Sequence, residues 1–62
     1  MTDTVAASRG YTKEITASHG AADFHLLVQP QADLEGRFKA WDIDEQEFIH
    51  VNGWLLDVEE VA

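Results

Sequence analysis

Apolar and polar residues alternate in short runs along most of the chain, a pattern typical of β-strands that bury one face. Residues 11–18 (YTKEITAS) are rich in β-branched side chains, and in residues 23–29 (DFHLLVQ) every second side chain, beginning with Phe24, is apolar. We therefore predict a strand in each run. The stretch SHGA (18–21) predicts the turn between them, and Pro30 ends the second strand because it has no N–H to donate to a sheet.

The middle of the chain allows two interpretations. Residues 29–36 have the composition of a loop, and residues 37–43 (RFKAWDI) favour a further strand. The alternative is a helix over about residues 32–42, because apolar side chains recur there at helical spacing. Gly36 would lie in the first turn of that helix and disfavours it by about 1 kcal/mol, so we prefer the strand.

The C-terminal segment predicts a β-hairpin around Asn52 and Gly53. This dipeptide favours a type I′ turn because both central residues of such a turn need a positive φ. A two-residue turn there pairs Val51 with Trp54. The two faces of the hairpin then carry Ile49, Val51, Trp54, Leu56 and Val58 on one side, and Phe48, His50, Leu55 and Asp57 on the other.

The orientation of Trp41 depends on the length of the loop that precedes this segment. A loop formed by residues 44–46 places Trp41 opposite Ile49 and therefore in the core. A loop one residue longer or shorter turns Trp41 to the face that carries His50, because a one-residue slip in register reverses every side chain. Both cases leave apolar surface rimmed by charge, which in a domain this small is typical of an interface.

These elements predict an all-β protein, a single antiparallel meander of four or five strands arranged as a half-open barrel or a sheet. Residues 11–62 form this small β domain, and the small, polar residues 1–10 form a flexible N-terminal tail. The alternative is an α+β fold in which a short helix at about residues 32–42 packs on the hairpin. With 62 residues the chain can form only one domain, whose stability margin is thin.

The amino-acid composition excludes several kinds of support and location. There is no cysteine, so disulfides and thiolate metal sites are excluded, and compact packing or self-association must stabilise the domain. No apolar run resembles a signal sequence or approaches the roughly 18 residues that a membrane span needs. We therefore expect a cytoplasmic protein.

The chain is strongly acidic, with 12 acidic and four basic side chains and a net charge of −8. Seven of the carboxylates lie in residues 41–60, which contain no Lys or Arg. This charge repels phosphate and anionic lipid, so we expect no direct binding to nucleic acid or to a membrane. The same charge would accelerate the encounter with a basic protein.

Motifs for catalysis or for a cofactor are lacking. The acidic run DIDEQE (42–47) departs from the calcium loop of an EF-hand, because Glu47 occupies the position that requires glycine. His19, His25 and His50 show no zinc-type spacing. The sequence also contains no nucleophile elbow and no Gly-rich phosphate loop. We expect no enzymatic activity, no cofactor and no metal.

The charge and the predicted hairpin suggest a non-enzymatic protein-binding module or inhibitor with a basic partner, for instance a nucleic-acid-processing protein. Carboxylates two residues apart on a strand repeat at about 6.6 Å on one face, a spacing similar to that of neighbouring phosphates. The alternatives are a structural homodimer without a catalytic role and a weak metal- or small-ligand-binding module. The candidate partner-binding residues are Trp41, Asp42, Asp44, Glu45, Glu47, Phe48, His50, Trp54, Leu55, Asp57, Glu59 and Glu60.

Overall fold

The computed structural model describes residues 3–61 and contains one five-stranded antiparallel sheet. This confirms the predicted all-β class of small domain, and the sheet is not closed into a barrel. Neither of the helices in the described residues is long and apolar enough to cross a membrane. In chain order the elements are α1 (Asp3–Ser8), β1 (Lys13–His19), β2 (Ala22–Val28), β3 (Arg37–Asp42), β4 (Glu47–Asn52), a 3-10 helix (Gly53–Leu55) and β5 (Asp57–Glu60).

The first four strands form the predicted meander. β1 and β2 are joined at residues 20–21, where Gly20 has a φ of 61° that glycine adopts without steric cost, and His19 pairs with Ala22. Residues 29–36 form the predicted loop, and β3 follows as a strand rather than as the alternative helix. β3 and β4 then pair from Arg37–Asn52 to Asp42–Glu47.

The predicted C-terminal hairpin is wrong. β5 pairs with β1 at the other edge of the sheet, so Val51 and Trp54 do not face each other, and the strand order is β4-β3-β2-β1-β5. Asn52 is extended, with φ −105° and ψ 102°, and Gly53 is not among the residues with positive φ. A type I′ turn therefore does not form at this dipeptide.

Asn52 and Gly53 serve a different purpose in the structure. The Asn52 side chain accepts a hydrogen bond from the Trp54 N–H at 3.2 Å and thereby caps the 3-10 helix. The Gly53 N–H donates to the Gly36 carbonyl at 2.8 Å, and a Cβ atom on Gly53 would overlap the backbone carbonyl of Leu34. Glycine is needed here for a close backbone approach and not for a positive φ.

The connection from β4 to β5 requires a strongly coiled sheet. The registers give the positions of the two strand ends relative to β2. Asn52, the last residue of β4, is aligned with position 31, which is three residues past the end of β2. Asp57, the first residue of β5, is aligned with Asp23 near the beginning of β2. In a flat sheet these two ends would be roughly 30 Å apart, from four strand spacings and an offset of about eight residues. The four connecting residues, 53–56, reach at most about 17 Å. The sheet must therefore coil until its two edge strands approach each other.

The coiled sheet encloses a core on its inner face. Ile15, Leu26 and Val28 are its largest fully buried side chains. Phe38, Ala40 and Val51 complete this core from β3 and β4, and the half-buried residues packed against it are Phe24, Ala32, Leu34, Ile49, Leu56 and Val58. The predicted alternation of Phe24, Leu26 and Val28 on one face of β2 is confirmed.

A second, smaller cluster lies on the outer face of the sheet. The loop between β3 and β4 has four residues, 43–46, one more than the three-residue loop considered above, and Trp41 is therefore opposite Phe48 and on the face that carries His50. Trp41 is nevertheless only 7% exposed, because Ala6 of α1 and Tyr11 pack over it. The outer face thus gains its own core from the N-terminal segment.

Helix α1 forms within the stretch predicted as a flexible tail. Ala6 is fully buried, and its carbonyl accepts hydrogen bonds from the Arg9 and Tyr11 N–H groups at 3.0 Å. Residues 1 and 2 of that predicted tail lie outside the described residues, and its flexibility stays a prediction. Apolar alternation did not predict the helix, because a single buried alanine carries its packing.

Replacing Gly53 by alanine is expected to lower the free energy of unfolding by about 2–3 kcal/mol, because the added methyl group must displace backbone atoms of the 29–36 loop. Urea unfolding followed by tryptophan fluorescence measures the change. Gly20→Ala is the control: no atom lies within 4 Å of its Cβ position, so only the positive φ is penalised, by about 1 kcal/mol. A Gly53→Ala variant as stable as Gly20→Ala would contradict the close approach.

Ala6→Glu is expected to destabilise the protein by about 2 kcal/mol and to shift tryptophan emission to the red, because a charge placed against Trp41 detaches α1. Ala7→Glu introduces the same side chain at the neighbouring, exposed position and should change stability by less than about 0.5 kcal/mol. Equal effects of the two substitutions would show that α1 does not cover the outer face.

Candidate functional site

The most exposed large apolar side chains lie in the 3-10 helix between β4 and β5. Trp54 is 73% exposed and Leu55 is 67% exposed. The apolar residues on either side of them in the sequence, Val51 and Leu56, are buried and half-buried. The Asn52 cap and the Gly53 contact with the 29–36 loop set the direction of this helical turn, which leaves the side chains of Trp54 and Leu55 pointing away from the core. Both belong to the predicted partner-binding residues.

An apolar groove opens next to these two side chains. Its volume is about 240 Å³, and it leads from the surface to the inner core beside β4. Its lining residues are Phe24, Leu26, Ile49, His50, Val51, Asn52, Leu55 and Leu56. The groove lies at β4, an edge strand of the sheet, which has a single strand neighbour among the described residues.

A second groove, with acidic walls, lies on the other side of Leu56. It has a volume of about 540 Å³, and its carboxylates are Asp33, Glu35, Asp57 and Glu60. Within residues 3–61, Glu60 forms an ion pair with Lys13, whereas no basic side chain pairs with the other three. Leu56 lines both grooves, so apolar and anionic surfaces are contiguous there.

The basic side chains are concentrated elsewhere. Arg9 and Lys39 lie over the Phe48 ring, 5.6 and 4.8 Å from its centroid, on the outer face. Lys13 is paired with Glu60, and Arg37 lies beside His50 and Asn52. Glu60 is thus the one groove carboxylate with a basic partner among residues 3–61, and a ligand cation would encounter Asp33, Glu35 and Asp57 unpaired.

Several residues predicted to bind a partner have structural roles. Trp41 and Phe48 pack edge to face, with ring centroids 4.8 Å apart, and Tyr11 contacts Phe48 at 5.0 Å. Asp42 is only 6% exposed, and its Oδ1 accepts hydrogen bonds from the Asp44 and Glu45 N–H groups at 3.0 and 3.1 Å. Trp41 and Asp42 are therefore unavailable as surface contacts, and Phe48 is half-buried.

The predicted acidic cluster is divided between two places. Asp44, Glu45 and Glu47 are exposed at the beginning of β4, about 17 Å from Asn52 at the end of that six-residue strand. Asp57 and Glu59 project from the outer face of β5, which β1 and β2 separate from β3. The seven carboxylates of residues 41–60 therefore do not form one continuous surface.

The outer face of β5, β1 and β2 carries a polar patch. The registers place Asp57, Ser18 and Asp23 in one row, and Glu59, Thr16 and His25 in the next. Nowhere between residues 3 and 61 do three or more His, Asp or Glu side chains form a group suited to bind a metal ion.

Sequence reasoning missed the residues that the tertiary structure adds to the site. Phe24 and Leu56 were predicted as core residues of strands, and Asp33 and Glu35 as parts of a loop. The acidic composition of the loop was visible in the sequence, but its approach to the 3-10 helix depends on the contact between Gly53 and Leu34.

Comparisons with protein-family models, with curated proteins and with solved structures gave no match for this chain, so the site is interpreted from its own geometry.

Asp42→Ala is expected to lower the free energy of unfolding by about 1–2 kcal/mol, because the backbone N–H groups of residues 44 and 45 lose their acceptor. Asp44→Ala removes the same charge from an exposed position and should cost less than about 0.5 kcal/mol. Chemical denaturation of both variants measures the difference. Equal stabilities would assign Asp42 no structural role.

Proposed function

We propose that this protein is a non-enzymatic binding module that engages a basic partner protein through the surface formed by Trp54, Leu55 and the two adjoining grooves. The observation that supports this most directly is the position of two exposed apolar side chains between an apolar groove and an unneutralised acidic groove. A partner that covered these two side chains would gain free energy, because apolar area is removed from water.

The two kinds of surface would divide the work of binding. Trp54 and Leu55 would supply buried area, since a tryptophan at the centre of an interface often accounts for about 2 kcal/mol or more of the binding energy. The carboxylates of Asp33, Glu35 and Asp57 would accelerate the encounter with a basic partner and select against acidic ones. This arrangement replaces the hairpin surface expected from the sequence.

A nucleic-acid-processing protein is one class of partner with a basic surface, and the outer face offers a second way to meet it. Asp57 and Glu59 lie on one face of β5 at alternating positions, with Asp23 two strands away. Alternate positions on one face of a strand are about 6.6 Å apart, a spacing similar to that of neighbouring phosphates. The two surfaces make different predictions, which allows them to be separated by mutation.

The experiment starts from affinity capture in a lysate of the source organism, followed by binding measurements with the purified partner. We expect a basic partner whose affinity decreases steeply between about 0.05 M and about 0.5 M salt. Trp54→Ala should weaken binding by about 30-fold, which corresponds to about 2 kcal/mol, without loss of stability because the side chain is exposed.

Two matched double variants distinguish the surfaces. Asp33→Asn with Glu35→Gln alters the acidic groove, and Asp23→Asn with Glu59→Gln removes the same charge from the outer face. The first pair should slow association and reduce the salt dependence, while the second pair should have little effect. A larger loss with the outer-face pair would favour phosphate mimicry, and an affinity independent of salt would exclude a basic partner.

A further inference from the structure

Strand β4 has an open edge. It is the last strand in the order β4-β3-β2-β1-β5, so no strand formed by residues 3–61 pairs with its second side. In an antiparallel pair, the backbone groups of alternate residues point toward the neighbouring strand. The Gly53 N–H donates to the Gly36 carbonyl, so Val51 and Ile49, two and four residues before Gly53, also direct their backbone groups to β3. The backbone N–H and C=O groups of Phe48, His50 and Asn52 therefore point away from the sheet.

The apolar groove runs along this open edge. Four consecutive residues of β4, from Ile49 to Asn52, line it. Side chains of successive strand residues point to opposite faces of a sheet. Four successive residues can therefore line the same groove only if the groove follows the edge of the strand, where their backbone atoms are exposed. A strand added at this edge would direct alternate side chains, those opposite Ile49 and Val51, into the groove.

Carboxylates lie at both ends of the same edge. Asp44, Glu45 and Glu47 are exposed where β4 begins. Asp33 and Glu35 lie next to Gly53, beyond the point where β4 ends. The edge between them spans six residues, or about 17 Å. Arg37 lies opposite Asn52 at this second end, but the two carboxylates outnumber it, so each end keeps a net negative charge. Positive charges on an added strand would therefore be favoured at both of its ends.

We propose that β4 binds an extended segment of a partner protein by strand addition, with aliphatic side chains at alternate positions in the apolar groove and Lys or Arg residues flanking them about six residues apart. This inference rests on the proposed function and specifies the partner's binding element. Backbone hydrogen bonds to Phe48, His50 and Asn52 supply affinity, and the groove and the flanking carboxylates supply specificity.

A second copy of this chain is a poorer occupant of the edge. Antiparallel pairing of β4 with itself would bring Glu47 of each copy toward the Asp33 and Glu35 end of the other. Like charges opposite each other on paired strands are destabilising. The charge distribution thus favours a basic segment, and the oligomeric state is an outcome of the test.

The test uses the intact protein as bait for a phage-displayed library of random twelve-residue peptides. We expect enriched peptides in which basic residues flank alternating aliphatic ones. The best peptide is then synthesised and added at saturation to the protein, and amide exchange is followed by NMR. Exchange should slow at least about tenfold at Phe48, His50 and Asn52, with little change at Ile49 and Val51, which are already bonded to β3.

A proline substitution tests the backbone contacts directly. His50→Pro removes an outward N–H without breaking a bond to β3, and should weaken peptide binding at least about tenfold. His50→Ala removes the same side chain but keeps the N–H, so it is the matched control, and the difference in peptide affinity between the two variants isolates the backbone contact. Should the proline variant not fold, peptides N-methylated at successive amides carry the test: affinity should fall only at alternate positions.

Strand addition is overturned if no peptide is enriched, if the enriched peptides lack basic flanks, or if binding leaves exchange at the three outward amides unchanged. Binding that depends on Trp54 and on salt without protecting those amides would remove the strand addition and leave the proposed function intact. Enrichment of acidic peptides with salt-independent affinity would remove both. Dimerisation of the protein alone that protects the same amides would assign the edge to a second copy.

Discussion

The short connection between β4 and β5 determines the shape of the sheet and the position of the candidate site. Four residues join strands at opposite edges of a five-stranded sheet, so the sheet has to coil around its inner core. The backbone approach of Gly53 to Leu34 makes that crossing possible, because no side chain intervenes. The coil in turn brings the loop of residues 29–36 against the 3-10 helix and creates both grooves of the candidate site.

Each face of the single sheet carries its own hydrophobic cluster. The inner face is closed by coiling, and the part of the outer face around Trp41 is covered by α1, whose buried Ala6 packs with Trp41. This arrangement explains why the two tryptophans of the acidic segment differ in solvent exposure. Trp41 is covered by the N-terminal helix, whereas Trp54 lies on the turn between β4 and β5 and is 73% exposed.

The basic and acidic side chains are also distributed unevenly over the surface. Two of the four basic side chains lie over Phe48 on the outer face, and a third is paired with Glu60. The carboxylates near the grooves therefore keep their negative potential, at a surface where apolar area is also exposed. A partner that covers Trp54 and Leu55 would meet that potential first, which links the proposed affinity to the proposed selectivity.

Local sequence patterns were enough to predict the all-β class, the positions of β1 to β4 and the alternation that places Leu26 and Val28 inside, because these features depend on neighbouring residues and on turn residues. The partner of β5 and the face of Trp41 depend instead on how distant segments meet in the fold. The first depends on the contact of Gly53 with a loop 19 residues earlier, and the second on one residue of loop length. An Asn-Gly pair favours a hairpin turn locally. Here the tertiary contacts outweigh that preference, because Asn52 caps the 3-10 helix and Gly53 allows the close approach of the Leu34 backbone.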